Sequence, residues 1–273
     1  MAQKAHPTSL RPPKDLYHGC THWNEPRFYY ITTTIHNLIS SCCAETTHFL
    51  DDIKISRHLG LFFLEVSLIH FHFTSKKRFK SRRYKENKKN KKKPSWAVIA
   101  HRLYSAVKLI QRFTGTKKVI LKVKRLKIYT RAVPKTARKQ VSYYAKGFHR
   151  GKYDFARYGL QLIYLAIQGK ASALSLSRFL EQNLCSRQKR KRHHQFLAFV
   201  KQSFQALQRR SKVQGIKIQI KGRFTHKAKG RSRVWKYQMG QMRLSQLDKD
   251  IQAEYVSTQT AYGSVGIKVW ICN

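Results

Sequence analysis

Gly215-Ile216-Lys217-Ile218-Gln219-Ile220-Lys221-Gly222-Arg223-Phe224 alternates with a period of two, placing Ile216, Ile218 and Ile220 on one side and Lys217, Gln219 and Lys221 on the other. This is a strand with one face for a core and one for solvent or polyanion. Tyr262-Gly263-Ser264-Val265-Gly266-Ile267-Lys268-Val269-Trp270-Ile271 alternates likewise, and Val265, Ile267, Val269 and Ile271 are expected in the same core. Around these strands, the stretch from Gln182 to Leu247 carries eighteen Lys or Arg and no Asp or Glu. A folded, strongly basic domain is therefore expected.

The phrases GIKIQIKGRF and YGSVGIKVWI, in this order with a basic-rich interval between them, resemble the carboxyl-terminal domain of the third protein of the small ribosomal subunit, the universal S-three family. Met1-Ala2-Gln3-Lys4-Ala5-His6-Pro7 is similar to that family's amino terminus. The resemblance is concentrated in residues 1–7 and from about 171 to 273. It implies an α+β protein: a KH-like (type II) amino-terminal domain, then an α+β carboxyl-terminal domain with helices packed on a sheet. It also implies small-subunit rRNA, neighbouring small-subunit proteins and mRNA, where the message enters the subunit, as partners.

Composition points the same way. The 273 residues carry 57 Lys and Arg against 12 Asp and Glu, a formal net charge of +45, and 41% of them are hydrophobic, enough for two modest cores. Such a charge repels itself unless a polyanion neutralises it, and nucleic acid does so with the added drive of counterion release. A membrane is not expected as a partner: the most apolar window, 59–73, is broken by Glu65, His70 and His72 and is too short to span. Cys20, Cys42, Cys43, Cys185 and Cys272 form an odd set without CxxC spacing, which reads as free thiols in a reducing compartment. His193 and His194 have no Cys or carboxylate at ligand spacing, so no metal is expected.

Along the chain, residues 1–27 read as an extended Pro-containing arm. Residues 28–126 read as the KH-like domain, with two short helices over 29–41 and 51–61, a strand over 61–74, a helix after Pro94-Ser95 that stops at Thr114-Gly115, and a strand over 119–126. Inside it, twelve of the eighteen residues from Lys76 to Lys93 are basic. A KH domain clamps nucleic-acid backbone with a GxxG loop before this helix. Here that place holds Lys88, Lys89, Asn90, Lys91, Lys92 and Lys93, and no glycine lies between Gly60 and Gly115. Without glycine the backbone cannot approach closely, so electrostatic anchoring by these lysines is expected in place of a clamp.

Residues 127–170 read as an expansion or connector segment with a helix over 155–167, and 171–273 as the carboxyl-terminal domain. In the latter, Leu176, Phe179, Leu180 and Leu184 mark one helix and Phe196, Phe199, Val200, Phe204 and Leu207 another. Candidate RNA ligands there are Arg187, Lys189, Arg190, Lys191 and Arg192 between the helices, Lys201 on the second, and Arg223, Lys227, Lys229, Arg231 and Arg233 beyond the first strand. In the resembled family, paired arginines and a lysine on the second helix line the channel through which mRNA enters. Lys201 keeps the lysine, but Leu197 and Ala198 stand in place of the arginines, so the cluster at 187–192 is the alternative rim.

Catalysis is not expected. Asp248 and Asp250 are the only close acidic pair besides Asp51-Asp52, two carboxylates underligate a metal, and no phosphate loop, GxSxG or HExxH occurs. No cofactor and no small-molecule substrate is expected. The function expected is a structural constituent of the small ribosomal subunit; the alternative is a freestanding single-strand RNA-binding or maturase-like factor. Because the chain starts at the family's own amino terminus and lacks the GxxG loop, a mitochondrial ribosome is the expected location, with a bacterial cytoplasm as alternative.

Overall fold

The computed structural model describes residues 6–7, 11, 25–43, 48–58, 61–71, 96–116, 118–128, 133, 135–136, 139, 155–185, 193–224, 230–260 and 262–273. The chain divides into two compact units, one of residues 16–129 and one of residues 1–15 with 130–273.

The first unit runs α1 (Glu25–Cys43), β1 (His48–His58), β2 (Leu61–Phe71), α2 (Trp96–Thr114) and β3 (Lys118–Ile128). β2 is central, antiparallel to β1 and parallel to β3. α1 is a single nineteen-residue helix despite Thr32-Thr33-Thr34, because Ile31, Ile35, Ile39 and Cys43 recur every four residues and are all buried. Thr34 Oγ1 donates to Ile31 O at 2.8 Å, a local bond that satisfies its hydroxyl inside the helix. On α2, Ile99, Leu103, Ala106 and Ile110 form the matching stripe. The two stripes meet Phe62, Leu64, Val66 and Leu68 of β2 in one core. The helix expected over 51–61 is instead most of strand β1. Ile53 and Ile55 alternate with Asp52, Lys54 and Ser56, and their pairing with Val66 and Leu64 buries what a helix would have scattered around its circumference. α2 ends as the sequence indicates, with Gly115 in the left-handed region at φ +63°. Ser95, the expected N-cap, lies outside the described residues.

The second unit contains α3 (Phe155–Ile167), α4 (Ala173–Cys185), α5 (His193–Leu207), β4 (Gly215–Gly222), β5 (Arg233–Gly240), β6 (Ile251–Thr260) and β7 (Gly263–Cys272). The strands form one antiparallel sheet in the order β5-β4-β7-β6. Register sets Ile216, Ile218 and Ile220 opposite Ile271, Val269 and Ile267, and all six are fully buried beneath the helices. Full burial of each such side chain is worth about 1.5–3 kcal/mol, so this central pair is the apolar seam of the unit. α4 lies on β6 and β7, and α5 reaches β5 where Phe204 meets Tyr237 at 5.4 Å between ring centroids. α3 packs on both α4 and α5, and Gly159 lets it do so, since a Cβ there would enter the rings of Phe179 and Phe199. Ser172 caps α4, its Oγ accepting from Ser175 N at 3.4 Å. The expected core residues of α4 and α5 are buried without exception.

Candidate nucleic-acid interface

The two faces of the β5-β4-β7-β6 sheet differ in chemistry because each strand alternates. Opposite the helix layer, β4 presents Lys217, Gln219 and Lys221; β5 presents Val234, Lys236 and Gln238; β7 presents Gly266, Lys268, Trp270 and Cys272; β6 presents Ile251, Ala253, Tyr255 and Ser257. Register then builds rows across the strands. Lys236, Gln219, Lys268 and Tyr255 form one row, with Val234, Lys221, Gly266 and Ser257 on one side of it and Gln238, Lys217, Trp270 and Ala253 on the other. No carboxylate occupies any of these outward positions.

This face has two halves. Ile251, Ala253, Trp270 and Cys272 are buried under Met242 and Leu244 of the loop that joins β5 to β6. Arg11 of the amino-terminal arm fastens that loop, donating from Nη2 to Leu244 O and to Gln246 O, each at 2.7 Å, and from Nη1 to Pro7 O at 3.1 Å. His6 meets Tyr255 edge-on, 4.4 Å between ring centroids. Burial, and secondarily the Lys268 ammonium, lower the His6 pKa below its ordinary 6.5, which keeps that ring neutral beside the lysines at neutral pH. The other half holds the lysines. Lys221, Lys236 and Lys268 are exposed and Lys217 is half-buried. Lys268 Nζ lies over the Tyr255 ring at 4.6 Å and Lys217 Nζ over the Trp270 ring at 5.5 Å, so two of the four ammoniums are held by aromatic faces.

Of the residues singled out from sequence, Arg223 and Arg233 come together at one end of the β4-β5 pair, where Gly222 is in register with Arg233. Arg231 and Arg233 are exposed and Arg223 is half-buried. Lys201 is exposed on the solvent side of α5, well separated in sequence from that hairpin end. Leu197 is buried at 3% exposure, so a residue belonging to the core, and not a cation, is what α5 requires there, while Ala198 is exposed. Lys88, Lys89, Lys91, Lys92, Lys93, Arg187, Lys189, Arg190, Lys191, Arg192, Lys227 and Lys229 lie outside the described residues. Sequence reasoning put Lys217 and Lys221 on a polar face but missed Lys236 and Lys268. The signal was present as Trp235-Lys236-Tyr237 and Ile267-Lys268-Val269, though joining them to Gln219 needed the register.

In the first unit the side of the sheet away from α1 and α2 also carries lysines, here gathered around a carboxylate. Glu65 pairs with Lys124 and, at 3.7 Å, with Lys122. The hydrogen bond from Lys124, against some desolvation, and the charges of Lys124, Lys122 and Lys54 hold its carboxyl below the usual range. Among the described residues no group of three or more His, Cys, Asp or Glu side chains could hold a metal, and no helix is long and apolar enough to cross a membrane.

These features define a class: an α+β domain, helices on one face of an antiparallel sheet, with lysines and arginines on the other face and at one hairpin end. Residues 187–271, which span α5 and all four strands of the second unit, match the family model described as Ribosomal protein S3, C-terminal domain. The chain is 42% identical over 101 residues to the small ribosomal subunit protein uS3 of Picosynechococcus sp., a span of 37% of this chain and 38% of that relative. It is 36% identical over 105 residues to the small ribosomal subunit protein uS3c of Rhodomonas salina, 38% of this chain and 43% of that protein. To the uS3 of Pediococcus pentosaceus it is 39% identical over 77 residues, 28% of this chain and 34% of the relative. The chain thus spans well under half the length of these curated relatives.

Proposed function

We propose that the protein is a structural constituent of the small ribosomal subunit that binds rRNA through its basic surfaces. The observation that carries this reading is that the family match, residues 187–271, falls on α5 and the four-stranded sheet, whose outward face and hairpin end are cationic. The first unit is read as a KH-like domain of type II: the order helix, strand, strand, a basic stretch, helix and strand supports it. The lysines at 88–93 then anchor backbone where other KH domains use glycine. Arg187–Arg192, immediately before α5, with Lys201 on that helix, supports a contribution to the rim where mRNA enters. Neighbouring small-subunit proteins complete the partners, and no catalytic role, cofactor or small-molecule substrate is proposed. A mitochondrial ribosome is the proposed location, a bacterial one the alternative; organellar and bacterial relatives both match.

A high-salt sedimentation run tests the assignment. The protein cosediments with the small subunit near one copy per particle, and Arg223→Glu, Arg231→Glu and Arg233→Glu together abolish incorporation while the free protein still melts cooperatively, since the apolar seam is untouched. A protein that washes off the subunit, with RNA binding retained, is instead a freestanding single-strand RNA-binding factor.

A further inference from the structure

We propose that the open half of the outward sheet face, Lys217, Gln219, Lys221, Lys236 and Lys268, is a docking platform for the phosphodiester backbone of duplex RNA, read without regard to base sequence. The inference rests on the RNA-binding reading above and names a site and a ligand form within it.

Four ammoniums surround Gln219. Lys236 and Lys268 flank it on the neighbouring strands, roughly 10 Å apart at ordinary strand spacing, and Lys217 and Lys221 lie along β4, four residues and roughly 13 Å apart. Their stems rise from the two central strands and β5, each of β4 and β7 hydrogen-bonded on both sides, so the array is stiff. No carboxylate shares the face, so the array is complementary to an anion and to nothing else nearby.

The ligand form follows from what the aromatic rings are doing. Sheets that read single strands offer free rings on which bases stack. Here Trp270 is 7% exposed, packed under the loop and approached by Lys217, and Tyr255 is met by His6 on its edge and by Lys268 on its ring. Trp270 is closed to a base, and Tyr255, 37% exposed, already holds the Lys268 ammonium over its ring. Gln219 and the lysines can address phosphate and ribose oxygens, and a paired helix supplies those as a rigid array with its bases turned inward.

The test compares the full-length protein with a variant carrying Lys217→Gln, Lys221→Gln, Lys236→Gln and Lys268→Gln, on a short perfectly paired RNA duplex and on an oligouridylate of equal length, across a salt series. On the duplex the slope of log affinity against log salt becomes shallower by about 3–4, near 0.9 for each lysine-phosphate contact, while on oligouridylate it changes by less than about 1. Lys236→Gln alone, at an exposed site on an edge strand, shifts the duplex slope by about 0.9 and keeps the test open should the quadruple variant misfold. An unchanged duplex slope, or an equal or larger change on oligouridylate, overturns the platform. Cosedimentation of the wild-type protein is scored separately: binding to the subunit together with an unchanged duplex slope refutes the platform and leaves the ribosomal reading standing, whereas failure to cosediment removes that reading whatever the slope does.

Discussion

His193 shows how one side chain ties local chemistry to stability. It is 2% exposed, Nε2 lies 3.1 Å from Leu184 O, and buried Nδ1 has no hydrogen-bond partner among the described residues. The carbonyl only accepts, so Nε2 carries the proton and Nδ1 is bare. Burial lowers the pKa below the ordinary 6.5, the Leu184 bond opposes this, and His194 adds to the lowering. The sign is therefore set: below about pH 6.5 the unfolded chain takes up the proton more readily than the folded one, so stability is present above that pH and lost as pH falls through it. The melting midpoint of the wild-type protein should drop between about pH 7.5 and 5.5 more steeply than that of His193→Gln, which keeps a donor for Leu184 and cannot titrate. Parallel pH dependences in the two proteins would show that the ring does not titrate against folding. In the sequence His193 and His194 are a bare adjacent pair, and nothing in a linear pattern says which of them turns back onto the preceding helix. The burial of Leu197 was likewise hidden until its face of α5 was known.

At the level of elements, the alternating strands β4 and β7 and the helices with clean apolar stripes were legible from period alone. β5 and β6 were not. Trp235, Tyr237 and Met239 alternate in β5, but they sit in a basic, glycine-flanked interval that reads as a loop. β6 buries Ile251 and Ala253 on the outward side and turns Glu254 toward the helices, an inversion of the usual polarity. Burial pushes the Glu254 carboxyl up, and Arg178 partly offsets this. The sequence reads as an extended arm over 1–27, of which 25–27 belong to α1, and it gives no sign of the dock at Arg11. That dock depends on the fixed fork of a planar guanidinium, whose Nη2 donates to two loop carbonyls while Nη1 reaches Pro7 O, a geometry that the single ammonium of Lys does not hold in place. Arg11→Ala should weaken arm docking by about 1–2 kcal/mol, read as a roughly 5–30-fold faster proteolytic cleavage within residues 1–15, with Arg11→Lys between. Cleavage rates unchanged in Arg11→Ala would mean that other contacts hold the arm.

For the whole molecule, charge dominates. A net +45 was readable at once and pointed to a polyanionic partner, but the arrangement of that charge needed the register, which is set by hydrogen bonds between strands far apart in sequence. The same charge makes salt act in two opposed ways. Screening should raise the melting midpoint of the free protein as ionic strength increases, because it relieves self-repulsion. It should weaken RNA binding by about 10³–10⁵ between roughly 50 and 200 mM, if some 6–10 phosphates are neutralised. Calorimetry and filter binding on one salt series check both, and a midpoint that falls with salt would mean that ion pairs such as Glu65 with Lys124 outweigh the repulsion.

The bond from Arg11 to Leu244 spans 233 positions of chain. On a translating ribosome the arm therefore emerges long before anything it can hold, and the whole first unit, residues 16–129, is synthesised in the interval. Until Leu244, Gln246 and Tyr255 have left the exit tunnel, Arg11 lacks its two bonds to the loop and His6 its contact with Tyr255, and the apolar patch of Ile251, Ala253, Trp270 and Cys272 has yet to be made. Docking of Arg11 on the β5-β6 loop is thus a late event that closes a very long stretch of chain. Its completion can be timed by the moment the stretch around His6 and Arg11 becomes protected from protease.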